Sequence, residues 1–157
     1  MSSTFHTQVN GILEQFAAQV ELDSCQLDED SCAQFALDDI LISLMLDEPA
    51  AALLLMATVG QVPATAEAYG KLLDANLFFH ETAGHSLARD SGSRTIVVQR
   101  RLLLDGLDYA RFEAGLQDLA AVTGRLRAAV AADEESAGED DGAPAAERED
   151  AALFIRG

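Results

Sequence analysis

Two apolar runs, Ile40 to Leu46 and Ala51 to Val59, stand only Asp47-Glu48-Pro49-Ala50 apart, and this spacing constrains the fold more than any other feature of the chain. Short β-prone runs joined by a few turn-forming residues read as a hairpin. Pairing Leu46 with Ala51 across the loop puts Ile40, Ile42, Leu44, Leu53, Leu55 and Ala57 on one face, because side chains alternate along a strand. That face is the expected core. The other face carries Leu41, Ser43, Met45, Leu54, Met56 and Thr58, which is more apolar than sheet that faces water. Either a helix of the same chain or a segment of a partner must cover it, and the two can share the surface. Its methionines suit a surface that adapts to varied sequences.

The remaining elements follow from periodicity. Phe5, Val9, Ile12, Leu13, Phe16 and Val20 recur at steps of three and four, predicting an amphipathic helix over residues 4 to 20. A short strand is expected near Cys32 to Leu37. After Pro63 a second helix spans 64 to 76, with Asn76 as its stop. Leu77-Phe78-Phe79 leaves that helix either to plug into a core or to reach a subunit interface. Residues 85 to 90 and 94 to 104 form a second hairpin around Asp90-Ser91-Gly92-Ser93. Asp108 is placed as an N-cap, with Leu107 and Phe112 as a hydrophobic staple, opening a third helix over about 109 to 131. The expected class is α+β: three helices and a twisted antiparallel sheet of about five strands, in the order α-βββ-α-ββ-α.

A chain of 157 residues supports one domain, assigned to residues 1 to 132. Residues 133 to 157 read as an acidic, disordered tail, since Asp133 to Asp150 holds nine acidic residues and one Arg. The tail closes on an apolar island, Leu153-Phe154-Ile155, which either docks elsewhere or folds back on the domain. The formal net charge of -17 argues against nucleic acid and anionic lipid as partners, because phosphate binding relies on Lys and Arg. No run approaches a membrane span, and Met1 to His6 shows no basic region leading into an apolar one, so the expected location is the cytoplasm. Cys25 and Cys32 fit neither zinc spacing nor a disulfide framework and read as reduced thiols.

Chemistry is hard to place on this chain. His80 and His85 flank a helix-to-strand junction and do not share one helix face, so they make a poor metal pair. Asp28-Glu29-Asp30 and Asp38-Asp39 lack the glycine and closing Glu of a calcium loop and read as turns. There is no phosphate-cradling glycine loop and no nucleophile elbow. The expectation is a binding protein with no catalytic residues, metal or cofactor.

The order of elements, with Leu37-Asp38-Asp39 before the Ile40 strand, Leu53 to Met56 leading to Val62-Pro63, Leu72-Leu73-Asp74-Ala75-Asn76-Leu77, and Val97 to Leu102 followed by Leu107-Asp108, resembles the class I chaperones of type III secretion (CesT/SycE-like). The resemblance covers roughly residues 5 to 131. It implies a homodimer joined through the second helix and the adjoining strand, here Tyr69, Leu72, Leu73, Leu77 and Leu87. It also implies that a segment near the N-terminus of a secreted effector wraps the dimer in extended form, staying non-globular and ready for export. The groove assigned to it is lined by Phe5, Phe16, Leu41, Met45, Leu54 and Met56, with strand addition and apolar anchors as the mode. The secretion ATPase or export apparatus is a further implied partner. Two alternatives share the fold: a regulatory relative that sequesters a transcriptional regulator, and a domain that binds a small ligand or sensor partner. The resemblance does not explain the acidic tail, which either contacts secretion machinery or shields the groove.

Overall fold

The computed structural model describes residues 3–79 and 81–138. The expectations for His80 and for the Leu153 to Ile155 island lie outside the described residues. In chain order the elements are α1 (Thr4–Gln19), β1 (Cys32–Leu37), β2 (Ile40–Asp47), β3 (Ala52–Gly60), α2 (Ala66–Asn76), a tight turn at Leu77–Phe79, β4 (Ser86–Arg89), β5 (Ile96–Leu103) and α3 (Tyr109–Gly138). The predicted order is therefore the observed one.

The caps explain where the helices begin. Ser3 accepts a hydrogen bond from the His6 N–H, Thr65 from that of Ala68, and Asp108 from that of Arg111, each satisfying a donor of the first turn. Leu107 and Phe112, the expected staple, are both buried. At its other end α3 runs past the expected stop near residue 131 to Gly138. No glycine or proline intervenes after Gly124, and alanine and glutamate are strong helix formers, so propensity carries the helix into the acidic stretch.

All strand pairs are antiparallel, in the order β1-β2-β3-β5-β4. Leu46 lies opposite Leu53, where the hairpin loop alone suggested Ala51. The loop keeps its four residues but sits one position further along, at 48 to 51, because Asp47 still pairs with Ala52 and its carboxylate accepts from the Ala50 N–H at 3.2 Å. A two-residue shift is a full strand period, so every side chain keeps its predicted face. The register of β3 against β5 shifts between Thr58 and Gly60, and Gly60 supplies the φ of 144° that this irregularity needs.

The core lies on one side of the sheet. Val9, Leu13 and Phe16 of α1 and Phe112, Leu116 and Leu119 of α3 join Ile42, Leu44, Leu53, Leu55 and Val98 in a single buried cluster. Arg100, on the same side, reaches over it to Asp118 of α3 at 2.8 Å. Arg127 of α3 donates to the Thr58 and Asp39 carbonyls, pinning the helix to one end of the sheet. Among the described residues no helix is long and apolar enough to cross a membrane.

Candidate functional site: an uncovered sheet face, an open strand edge and an apolar helix patch

Since α1 and α3 share the core side, the opposite face of the sheet is left without a helix among the described residues. Strand register orders its side chains into rows. Cys32, Met45, Leu54 and Arg101 form one row across β1, β2, β3 and β5; Gln34, Ser43, Met56 and Gln99 form the next. Leu41 is 46% exposed, Met45 37% and Leu103 59%, while Leu54 and Met56 are half-buried between their neighbours. Of the two covers the sequence allowed, a helix of the described chain is thus absent from this face. The structure brings Leu41, Met45, Leu54 and Met56 together as a contiguous apolar surface.

Phe5 and Phe16 do not join them. Phe16 is 3% exposed, its ring 4.8 Å from that of Phe35 and 5.7 Å from that of Phe112, and Phe5 packs half-buried against the same cluster. Both belong to the helix layer, on the far side of the sheet from Met45. The reason is that the stripe containing Phe5 and Phe16 is the one that anchors α1 to the sheet, so it cannot also wall a groove on the other side.

The two edges of the sheet differ. Hydrogen-bonded pairs alternate along an antiparallel ladder, and the bond from the Leu46 N–H to the Ser31 carbonyl sets the phase for β1. By that phase, the backbone groups of Cys32, Gln34 and Ala36 face outward. Those of Cys32 are taken by Asp28, through its N–H at 2.7 Å and its carboxylate at 2.9 Å. Gln34 and Ala36 keep an open edge. On β4 the bond from the Asp90 N–H to the Thr95 carbonyl sets the phase, so the outward groups are those of Leu87 and Arg89. Asn76 claims both groups of Leu87: its amide donates to the Leu87 carbonyl at 3.1 Å and accepts from the Leu87 N–H at 2.7 Å. Asn76 thus ends α2 and also blocks the β4 edge at Leu87 against strand addition. Sequence reasoning found only the first of these roles.

A second apolar surface surrounds α2. Leu73 is 70% exposed, Leu77 61% and Phe78 76%, with Phe79 beside them also exposed. Phe78 and Phe79 therefore do not plug into the core, the first of the two options their position allowed. Tyr69, Leu72, Leu73, Asn76, Leu87 and Ile96 line an apolar cleft of about 210 Å³. Tyr69 and Leu72 are half-buried and Leu87 is buried at its floor. The five residues assigned to a subunit interface thus fall in one region. Arg89 sits over the Tyr69 ring at 5.7 Å, and Lys71 pairs with Glu67.

The polar groups are arranged for structure. His85 is fully buried, its Nδ1 2.8 Å from the Thr82 carbonyl, which makes that nitrogen the donor. Its Nε2 and the Thr82 hydroxyl find no partner among the described residues. Burial pushes the thiols of Cys25 and Cys32 up, and for Cys32 the charges of Asp28 and Asp30 push the same way, so both are kept protonated. Among the described residues no group of three or more His, Cys, Asp or Glu is placed to hold a metal ion. Sequence reasoning missed Arg101 and Leu103 on the open face; carrying the strand alternation on to β5 would have found both.

A profile of the Tir chaperone protein (CesT) family matches residues 11–127. The Tir chaperone of Escherichia coli O157:H7 is 26% identical over 103 residues, which is 65% of this chain and 66% of that protein's length. A chain from the crystal structure of the ExsC–ExsE complex superposes with a TM-score of 0.74 at 24% identity, covering 80% of this chain and 95% of its own. One from the HopA1–SchA chaperone–effector complex gives 0.67 at 17% identity, covering 80% and 97%. At these identities the two structural likenesses establish the fold.

Proposed function

Because the chain belongs to the Tir chaperone protein (CesT) family, we propose that it is a cytoplasmic type III secretion chaperone that binds the N-terminal segment of one or more secreted effectors and keeps that segment non-globular. The observation that carries this reading is the apolar face of Leu41, Met45, Leu54 and Met56 lying directly beside the unpaired edge of β1. An extended segment added to β1 gains main-chain hydrogen bonds at Gln34 and Ala36, and its side chains fall alternately toward that face. Binding in this mode prevents the segment from folding without any covalent step, so neither catalysis nor a cofactor is called for. Of the residues first assigned to the groove, Leu41, Met45, Leu54 and Met56 remain; Phe5 and Phe16 do not.

The chain acts as a homodimer in this reading, joined through the α2 patch. A cluster of Leu73, Leu77, Phe78 and Phe79 exposed to water is the kind of surface that association buries. The dimer then presents two open faces and two β1 edges to one effector.

The test is a pull-down from the protein's own cell lysate, with captured proteins identified by mass spectrometry and each variant checked for folding. Wild type is expected to capture secreted effectors, and Met45→Glu and Leu54→Glu to lose them by at least tenfold. Equal capture by wild type and both variants would contradict the reading.

A further inference from the structure

The β1 edge is open over only part of its length, and one residue accounts for the limit. Just before β1 the chain folds back on that strand. The Asp28 N–H donates to the Cys32 carbonyl at 2.7 Å, and the Cys32 N–H donates to the Asp28 carboxylate at 2.9 Å. These are the two bonds that a neighbouring strand would make to an outward-facing residue of an antiparallel edge. Asp28 supplies them with one backbone donor and one side-chain oxygen, the carboxylate standing where a partner's carbonyl would be. The turn that brings it there is held from within. The Ser31 N–H donates to the Asp28 carbonyl at 3.1 Å, the Asp30 N–H donates to the same carboxylate oxygen at 2.9 Å, and Ser31 takes a left-handed φ of 61°.

At its other end β1 runs into the tight turn to β2, where Leu37 lies opposite Ile40. Between these limits Gln34 and Ala36 are the residues whose N–H and carbonyl groups face outward.

The open face by itself does not fix how a segment lies along this edge. Side chains alternate with a period of two, so a slip of two residues leaves the same segment side chains turned toward the face. What they meet changes. In one register, segment residues opposite Ala36 and Gln34 lie over Leu41 and over the Gln34 amide, which donates to the Ser43 hydroxyl at 3.0 Å. Slipped by two, the same residues stand opposite Gln34 and Cys32, in the rows of Ser43 and Met45. The first register keeps every backbone bond; the second puts the segment backbone where Asp28 already lies.

We propose that Asp28 is a positioning residue for the bound segment: by occupying the place opposite Cys32 it confines strand addition to Gln34 and Ala36, fixes the register and turns the segment off the sheet. The role rests on the strand addition proposed above and adds which register that addition uses. The segment side chain opposite Ala36, which presents only a methyl group, then packs on Leu41, and a large apolar residue is favoured there.

The experiment follows amide hydrogen exchange at Cys32, Gln34 and Ala36 in the full chain, alone and bound to the most abundant protein that wild type captures from lysate. Asp28→Ala frees the Cys32 N–H, Asp28→Pro frees its carbonyl as well, and Asp28→Asn keeps both bonds because its amide oxygen accepts. In unbound wild type and Asp28→Asn, Cys32 should be protected at least tenfold more than Gln34 and Ala36; in unbound Asp28→Ala that difference should vanish. On binding, Gln34 and Ala36 should slow by tenfold or more in every variant. Cys32 should slow as much in bound Asp28→Pro, and also in bound Asp28→Ala, whose one remaining bond to Cys32 the segment can displace. Cys32 left fast in both complexes while Gln34 and Ala36 slow would show that Asp28 does not end the ladder: the inference fails and the chaperone reading stands. Fast exchange of Cys32 in unbound wild type would overturn it too. Gln34 and Ala36 left fast in every complex, or capture of no protein, would overturn strand addition and this role together.

Discussion

Phe16 shows how a single side chain settles which surface is available. It sits between Phe35 of β1 and Phe112 of α3, touching both ring systems, and so ties the helix layer to the sheet. Truncating such a residue leaves a cavity that its neighbours fill only in part, at a cost of about 3–5 kcal/mol. Phe16→Ala is therefore expected to lower the unfolding midpoint in denaturant sharply, whereas Met45→Ala, on the open face, should leave it nearly unchanged. Equal effects of the two would mean that the faces have been misassigned. From the sequence, Phe16 and Met45 were both candidates for one groove, because period-3.6 and period-2 patterns each mark an apolar stripe without saying which stripes meet. Only the packing of α1 and α3 on the same side of the sheet separates them.

At the scale of elements, the hairpin argument succeeded for a reason that limits it. Placing the four-residue loop one position too early misjudged the register of β2 against β3 by two residues, yet the faces came out right because two is the period of a strand. Edge chemistry was not legible at all, since the amide of Asn76 meets Leu87 only when α2 packs beside β4. Asn76→Ala removes both bonds and exposes the two backbone groups on an edge strand. The expected cost is about 2 kcal/mol, read from unfolding, together with faster hydrogen exchange at the Leu87 amide. Unchanged exchange there would show that another group closes the edge. The α2 patch was legible as to residues, because Tyr69, Leu72 and Leu73 repeat at helical spacing. If it joins two subunits, Leu73→Glu in a background that keeps Asn76 should shift the protein from dimer to monomer in sedimentation without unfolding it. A variant that sediments as wild type would place the interface elsewhere.

The molecule as a whole separates its tasks by side. One face of the sheet, covered by α1 and α3, holds the fold together; the other, with the β1 edge, is left uncovered by the described helices; and the far edge, blocked at Leu87 by Asn76, adjoins the apolar helix patch. The order of elements and the class could be read from periodicity because the strands are short, the helices well capped, and local signals agree with one another. The α3 overhang was missed because charge was weighed above helix propensity at Asp133 to Gly138. The central claim is that an extended effector segment adds to β1 over the open face. The most direct measurement is hydrogen exchange at the Gln34 and Ala36 amides, in the chain alone and in the complex with the effector it captures. Slowing of both by tenfold or more in the complex, with the Leu87 amide unchanged, is the predicted result. Exchange at Gln34 and Ala36 that stays fast while the effector is bound would contradict strand addition at this edge.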